Sequence, residues 1–276
     1  MLKILSLNVW GGRLHAPLLR YLGECDADIL CLQEVTRTHR SPEVGSAAET
    51  SSWLVYRDDG IELSQRSDLF SEIAAVLPGH DGLFMPAARG VLWDGDQAVM
   101  SEFGLATFIR KSLPLLGQAQ GFVHGAFSAN GWGEHPRARN AHVFRVHDYA
   151  ADFTLTVAQM HGLRDPAGKG DTPERAAQAE ALIRLIGQVR PAGERLVVCG
   201  DFNVLPDSAT LAALARLGLA DLVTGRGHTD TRTSWYRKPG RFADYMLVSD
   251  TVAVTQFDVV AEPEVSDHRA LELLFA

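Results

Sequence analysis

The feature that most constrains this chain is a set of short apolar segments, each of which closes on a polar group. Residues 196–199, Leu-Val-Val-Cys, are rich in β-branched character, are broken by Gly200, and deliver Asp201 and Asn203 onto a turn ahead of Pro206. Alternate residues of an extended chain share a face, so the carboxylate of Asp201 and the carboxamide of Asn203 converge on one small anion, water or metal. Alone, Asp-x-Asn before a proline is also a good turn. The pattern recurs, however. Residues 3–9 alternate as a strand and present Asn8 just before Gly11 and Gly12. Residues 28–35 are a second buried run that closes on Glu34, residues 153–160 end at His161, Asp244 is embedded in residues 242–248, and Asp267 and His268 precede the last apolar run.

A buried carboxylate is expensive unless it is paired or binds a metal, and several in one place need a cation or a protonated histidine. Asn8, Glu34, His161, Asp201, Asn203, Asp244, Asp267 and His268 therefore predict a metal site in one cleft. Carboxylates and amides without thiolates are hard oxygen donors, which suits Mg²⁺ or Mn²⁺ better than zinc. Asp244 and His268 are a candidate acid–histidine pair, in which the carboxylate orients the imidazole and raises its basicity. Cys25, Cys31 and Cys199 lack metal-ligand spacing, and no disulfide framework is expected.

Around these groups the chain reads as alternating strands and helices. Apolar residues at helical spacing predict helices with Leu14, Leu18 and Leu22 on one face and Gly23 as the stop, from Ser67 to Pro78, from Thr172 through Val189, and from Ser208 to Gly218. Residues 98–110 read as a strand containing Glu102, residues 41–52 as a polar loop, and residues 113–140 as a long irregular loop. No linker divides the 276 residues, so a single domain, 1–276, is expected. Hydrophobic content of 46% and charged content of 22% exclude a disordered or fibrous chain. No apolar run reaches the roughly 18 residues of a membrane span, and the amino terminus is too soon interrupted by Asn8 for a signal peptide. A cytoplasmic protein with no membrane partner is expected; the oligomeric state is not legible.

In order and approximate spacing, Leu-Asn-Val-Trp at 7–10, Leu-Gln-Glu-Val at 32–35, His161 after a strand, Gly-Asp-Phe-Asn at 200–203, Ala-Asp-Tyr at 243–245 and Ser-Asp-His at 266–268 resemble the signature of the endonuclease/exonuclease/phosphatase family. The resemblance covers the whole chain. It implies an α/β fold, a four-layer αββα sandwich with two mixed β-sheets packed face to face and helices outside. It also implies Mg-dependent hydrolysis of a phosphodiester. Glu34 would be the principal metal ligand, with Asn8 and Asp267 nearby; Asp201 and Asn203 would orient the attacking water and a phosphate oxygen. His268, paired with Asp244, would act as base or stabilise the transition state, His161 would contact the phosphate, and the water's proton would pass to Asp201 or to His268.

Departures from the family's subgroups bear on substrate. The tyrosine of exonuclease III-like members is missing from residues 100–104, and Ala243-Asp244-Tyr245 lacks the Trp and Arg of the inositol-phosphatase signature. Glu102 reads as a surface residue from its own surroundings, but it resembles the acid that holds the phosphate-binding histidine in pancreatic-type deoxyribonucleases, a resemblance that implies a Glu102–His161 pair. The net charge of -8 argues against coating nucleic acid by bulk electrostatics. Locally, though, three loops expected to overhang the cleft hold the candidates for phosphate contact, Arg137, Arg139, Arg164, Lys169, Arg232, Arg237, Lys238 and Arg241, with Phe122, Trp132, Trp235 and Tyr236 among them. DNA or RNA is the first substrate reading, a small phosphorylated metabolite or lipid headgroup the alternative, and a binding protein without catalysis the third.

Overall fold

The computed structural model describes residues 1–39, 51–58 and 60–276; most of the loop expected at 41–52 lies outside them. Among the described residues the strands form two mixed sheets. The first has eight strands. At its centre β1 (Leu2–Asn8) and β2 (Ile29–Arg37) run parallel, Asn8 opposite Gln33. Next to β2 stand β6 (Gln97–Arg110), β5 (His80–Asp94), β3 (Trp53–Asp58) and β4 (Ile61–Arg66); next to β1 stand β14 (Leu271–Phe275) and β13 (Val254–Val259). The second sheet has six, in the order β11 (Leu219–Asp221), β12 (Asp244–Ser249), β10 (Arg195–Asp201), β9 (Phe153–His161), β8 (Arg139–Asp148) and β7 (Leu115–His124).

Strand alternation explains the layering. Ile4, Ile29 and Cys31 point from the first sheet into a core shared with Val143, Val157, Val197 and Met246 of the second. Their neighbours Leu5, Leu7, Leu30 and Leu32 point the other way, onto α1 (His15–Glu24) and α2 (Leu69–Val76) through Leu18, Leu22, Leu69 and Ile73. On the far side, α3 (Pro173–Val189) packs on the second sheet through Leu182, Leu185 and Ile186, joined by Leu211 and Leu214 of α4 (Ala209–Ala215). Helix ends follow the expected signals, with Thr172 capping Arg175 N ahead of Pro173 and Ser208 capping Leu211 N. The result is the αββα sandwich.

Several elements differ from the sequence reading. Helix α1 continues one residue past Gly23 to Glu24, and a Cβ on Gly23 would meet only ordinary contacts with Val76 at 3.7 Å. The stretch expected as irregular loop contains β7, an edge strand whose Gly117 and Gly121 mask the alternation. The hairpins β3–β4 and β5–β6 extend the first sheet where no strand pair was expected.

Candidate active site

Two parallel pairs bring four strand ends together. In the second sheet His161 ends β9 directly opposite Asp201 of β10, and Asp244 opens β12 opposite Asp201 on the other side. Directly opposed residues share a face, so register alone gathers His161, Asp201 and Asp244. In the first sheet Asn8 ends β1, and Glu34 lies within β2, three residues before its end. Residues 266–268 lead into β14 beside β1, and Ser266 Oγ donates to Asn8 O at 2.6 Å. The sheets meet where Asn8 Nδ2 donates to Asp201 Oδ2 at 3.0 Å.

Local backbone devices make this convergence work. In regular alternation Glu34 would share the helix-facing side with Leu32. A β-bulge between Leu32 and Val35, with Glu34 at φ 60°, turns the carboxylate into the cleft instead. Asn203 takes φ 54°, a left-handed conformation that asparagine tolerates; its N–H donates to Asp201 Oδ1 at 3.0 Å and its Nδ2 to Gly162 O at 3.3 Å. Gly200 lets β10 approach β9, since a Cβ there would lie 2.1 Å from Met160 O.

All eight polar residues expected in the cleft belong to one connected group. His161 Nε2 lies 3.8 Å from Glu34 Oε1 and 3.6 Å from Asp201 Oδ2. His268 Nδ1 is 2.9 Å from both oxygens of Asp244, and its Nε2 is 3.7 Å from Asp201 Oδ2 and from Asp267 Oδ1. Burial raises the pKa of Glu34, although its side chain keeps 28% exposure, and it raises that of Asp267, on which the charge of Glu34 also bears. Burial likewise pushes His161 well below the usual histidine value, with Arg139 adding to the effect. It disfavours charge on both members of the Asp244–His268 pair, raising the acid and lowering the imidazole.

The expected Glu102–His161 pair does not form. Glu102 lies on β6 opposite Arg37, three residues beyond Glu34 along β2, and bonds His39 at 2.9 Å, while His161 faces Glu34 and Asp201. Two guanidiniums that were read as phosphate contacts on loops are buried in the site. Arg139 donates from Nε to Gly162 O at 2.9 Å, and its charge bears on Glu34. Arg232 donates from Nη1 to Asp267 Oδ2 at 3.1 Å and meets His268 Nε2. Thr231 was not singled out either; its Oγ1 accepts from the N–H groups of Ala243 and Asp244 and so holds the start of β12. Nothing in the local pattern distinguishes these residues from a solvated loop.

Two places offer donors for a cation. Ligating atoms of Asp201, Asp244 and His268 lie within 4.8 Å of one another, but His268 Nδ1 is bonded to Asp244 and Nε2 to Arg232. Beside them, Asp267 Oδ1 is buried with no hydrogen-bond partner, near Glu34 and Asn8. An unpartnered buried carboxylate oxygen calls for an ion.

Acids, amides and imidazoles thus gather at the shared end of two mixed sheets. Residues 5–268 match the model of the Endonuclease/Exonuclease/phosphatase family, and the chain belongs to that family of phosphoric ester hydrolases. It is similar to an inositol phosphosphingolipids phospholipase C of Schizosaccharomyces pombe, 26% identical over 236 residues, which are 80% of this chain and 45% of that protein. The chain thus spans less than half the length of that relative. An endonuclease/exonuclease/phosphatase structure from Bacteroides vulgatus has a TM-score of 0.68 at 18% identity, covering 100% of this chain and 98% of the other. The mannosyl-6-phosphatase of Bacteroides thetaiotaomicron VPI-5482 has a TM-score of 0.66 at 16% identity over the full length of both. At those identities the likeness is one of fold. Among the described residues no helix is long and apolar enough to cross a membrane.

Proposed function

We propose that the chain hydrolyses a phosphodiester by in-line attack of water, with Mg²⁺ or Mn²⁺ held by Glu34, Asn8 and Asp267. The observation that carries the reading is Asp267 Oδ1, buried and unpartnered beside two further oxygen-bearing side chains. The donors are all oxygens, the set a hard cation prefers. Bound there, the ion would supply Lewis-acid stabilisation to a phosphoryl oxygen.

The remaining work falls to the chain's own groups. Asp201, fixed through Oδ1 by Asn203 N and through Oδ2 by Asn8 Nδ2, orients the attacking water, with Asn203 beside it. His161, kept neutral by burial, retains one N–H to donate to a phosphoryl oxygen. His268, steered by Asp244, faces the same space; the water's proton passes to Asp201, or to His268 where the water takes the place of Arg232 Nη1 at Nε2.

The loop cations narrow the substrate. Arg137 pairs with Asp58, Arg139 with Gly162 O, Lys169 with the carbonyls of Gly240 and Phe242, Arg232 with Asp267, and Arg241 with Asp230. Arg164, Arg237 and Lys238 are exposed and carry no hydrogen bond or ion pair among the described residues. So short a free cationic footprint favours a compact diester, a small metabolite or lipid headgroup, over an extended strand. DNA or RNA is the second reading, supported by Trp235, 50% exposed in the same loop as Arg237 and Lys238 and suited to base stacking.

The test is hydrolysis of bis-p-nitrophenyl phosphate, p-nitrophenyl phosphate, a phosphodiester lipid headgroup and single- and double-stranded oligonucleotides, each with and without Mg²⁺. The expected result is diester cleavage that requires the metal. Turnover of the monoester alone, or diester cleavage indifferent to chelation, would contradict the proposal.

A further inference from the structure

Arg232 is 5% exposed, in a loop that has no need of its side chain. The backbone of that residue is already held from several sides. Its N–H donates to Asp230 Oδ1 at 2.6 Å, and its carbonyl accepts from Arg241 Nη2 at 2.8 Å and from Arg269 Nε at 2.9 Å. On either side Thr231 N donates to Arg241 O and Thr233 N to Asp267 O. The guanidinium is nevertheless buried at a cost, because Nε is sealed from solvent with no hydrogen-bond partner. Burying an arginine in this way calls for a role beyond closing the loop.

The surroundings show what that role is. Nη1 engages Asp267 Oδ2 on one side and His268 Nε2 on the other. Because a guanidinium only donates, His268 Nε2 is the acceptor in that contact, and its Nδ1 carries the hydrogen toward Asp244. The Tyr236 ring lies 4.3 Å from the guanidinium carbon and backs its plane. Nη2 makes no hydrogen bond among the described residues and, unlike Nε, is not sealed from solvent. A fixed charge thus sits against His268 and bears on Asp201, with Nη2 as its free donor.

We propose that Arg232 is a catalytic residue, whose Nη2 binds a nonbridging oxygen of the substrate's phosphoryl group beside His268 and stabilises the charge that grows there. The inference rests on the reading of the site as phosphodiester-cleaving. In that reaction the water oxygen bonds to phosphorus as the bond to the leaving alcohol oxygen breaks, and the alcohol departs with the proton the water gives up. Arg232 exchanges no proton; its charge is permanent, and Nη2 is the nitrogen left to donate to a phosphoryl oxygen. Asp267 is then shared, Oδ2 holding the guanidinium and Oδ1 left for the cation, so that two positive charges flank one phosphoryl group.

The experiment is Arg232→Ala and Arg232→Lys, each assayed on bis-p-nitrophenyl phosphate with Mg²⁺ and titrated calorimetrically with inorganic phosphate. The alanine variant should lose at least about 100-fold in kcat/KM, the scale of a removed oxyanion donor. Phosphate affinity should fall about tenfold or more, and millimolar guanidinium should restore part of the rate. Should alanine prevent folding, lysine decides, since it keeps a cation on Asp267 but lacks Nη2; it too should lose about tenfold or more in both measurements. Either folded variant within threefold of the parent in rate, or with unchanged phosphate affinity, overturns the proposal. If the parent itself fails to cleave the diester, the functional reading fails, and the phosphate titration still decides the role of Arg232.

Discussion

Asp244 presents both carboxylate oxygens to His268 Nδ1 at 2.9 Å, and both residues are almost fully buried. The ring is thereby fixed in plane and tautomer with Nε2 turned toward Asp201. Asp244→Asn keeps the volume and removes the charge that holds the hydrogen on Nδ1. It should lower kcat by about 10²- to 10⁴-fold, the range for a general acid–base group, with a melting temperature close to the parent's. A variant with near-parental kcat would remove the pair from the mechanism.

Much of the candidate site was legible because Asn8, Glu34, His161 and Asp201 interrupt the apolar strands β1, β2, β9 and β10, which leave no other reason for a polar group. Less of the first sheet was legible. Strand β5 carries Gly82, Pro86, Arg89 and Gly90 with a register shift at Pro86, so its alternation is broken although it pairs with β6 along almost its whole length. Glu102 was misassigned because side-chain pairing depends on register, and the register sets it opposite Arg37 and beside His39. Arg232 was legible as a loop cation for phosphate but not as a buried partner of the site residues, because its burial is decided by Asp267 and His268, some 35 residues on in sequence.

Lys169 ties the loop at 162–171 to the loop at 225–241 by donating to Gly240 O and Phe242 O, next to the Tyr236 ring. Burial lowers its pKa to about 8, so it stays largely charged at neutral pH. Lys169→Met should cost about 1.5–3 kcal/mol, the range for a hydrogen bond to a charged group, read as a lower urea midpoint. An unchanged midpoint would mean that the loops do not need the clamp.

His142 sits in a buried polar ladder between the sheets, bonded through Nδ1 to Thr107 and through Nε2 to Gln118. Burial lowers its pKa to about 4 from 6.5. As pH falls the unfolded chain binds the proton first, so this contribution to stability is complete above about pH 6.5 and is lost progressively toward pH 4. The gap corresponds to about 3 kcal/mol. Urea unfolding of the parent and of His142→Gln at pH 7 and near pH 4 should show the acid loss reduced by about that amount in the variant; equal losses would place the acid sensitivity elsewhere.

Arg237 and Lys238 decide between a strand and a compact substrate. If a polynucleotide follows this surface, binding weakens steeply with salt, and removing both cations flattens the log–log slope by roughly 1.4 to 1.8, the value for two phosphate contacts. The compact-diester reading expects oligonucleotide binding that is weak throughout, with diester turnover in the double variant close to the parent's.

The central claim, that Glu34 holds a catalytic cation, is tested most directly by calorimetric titration of Mg²⁺ into the parent and into Glu34→Gln. The substitution removes a charge and little volume at the β-bulge. The expected result is one clear binding isotherm for the parent and none, or affinity lower by at least about tenfold, for a folded variant that no longer cleaves the diester. Unchanged Mg²⁺ affinity in the variant would contradict the account.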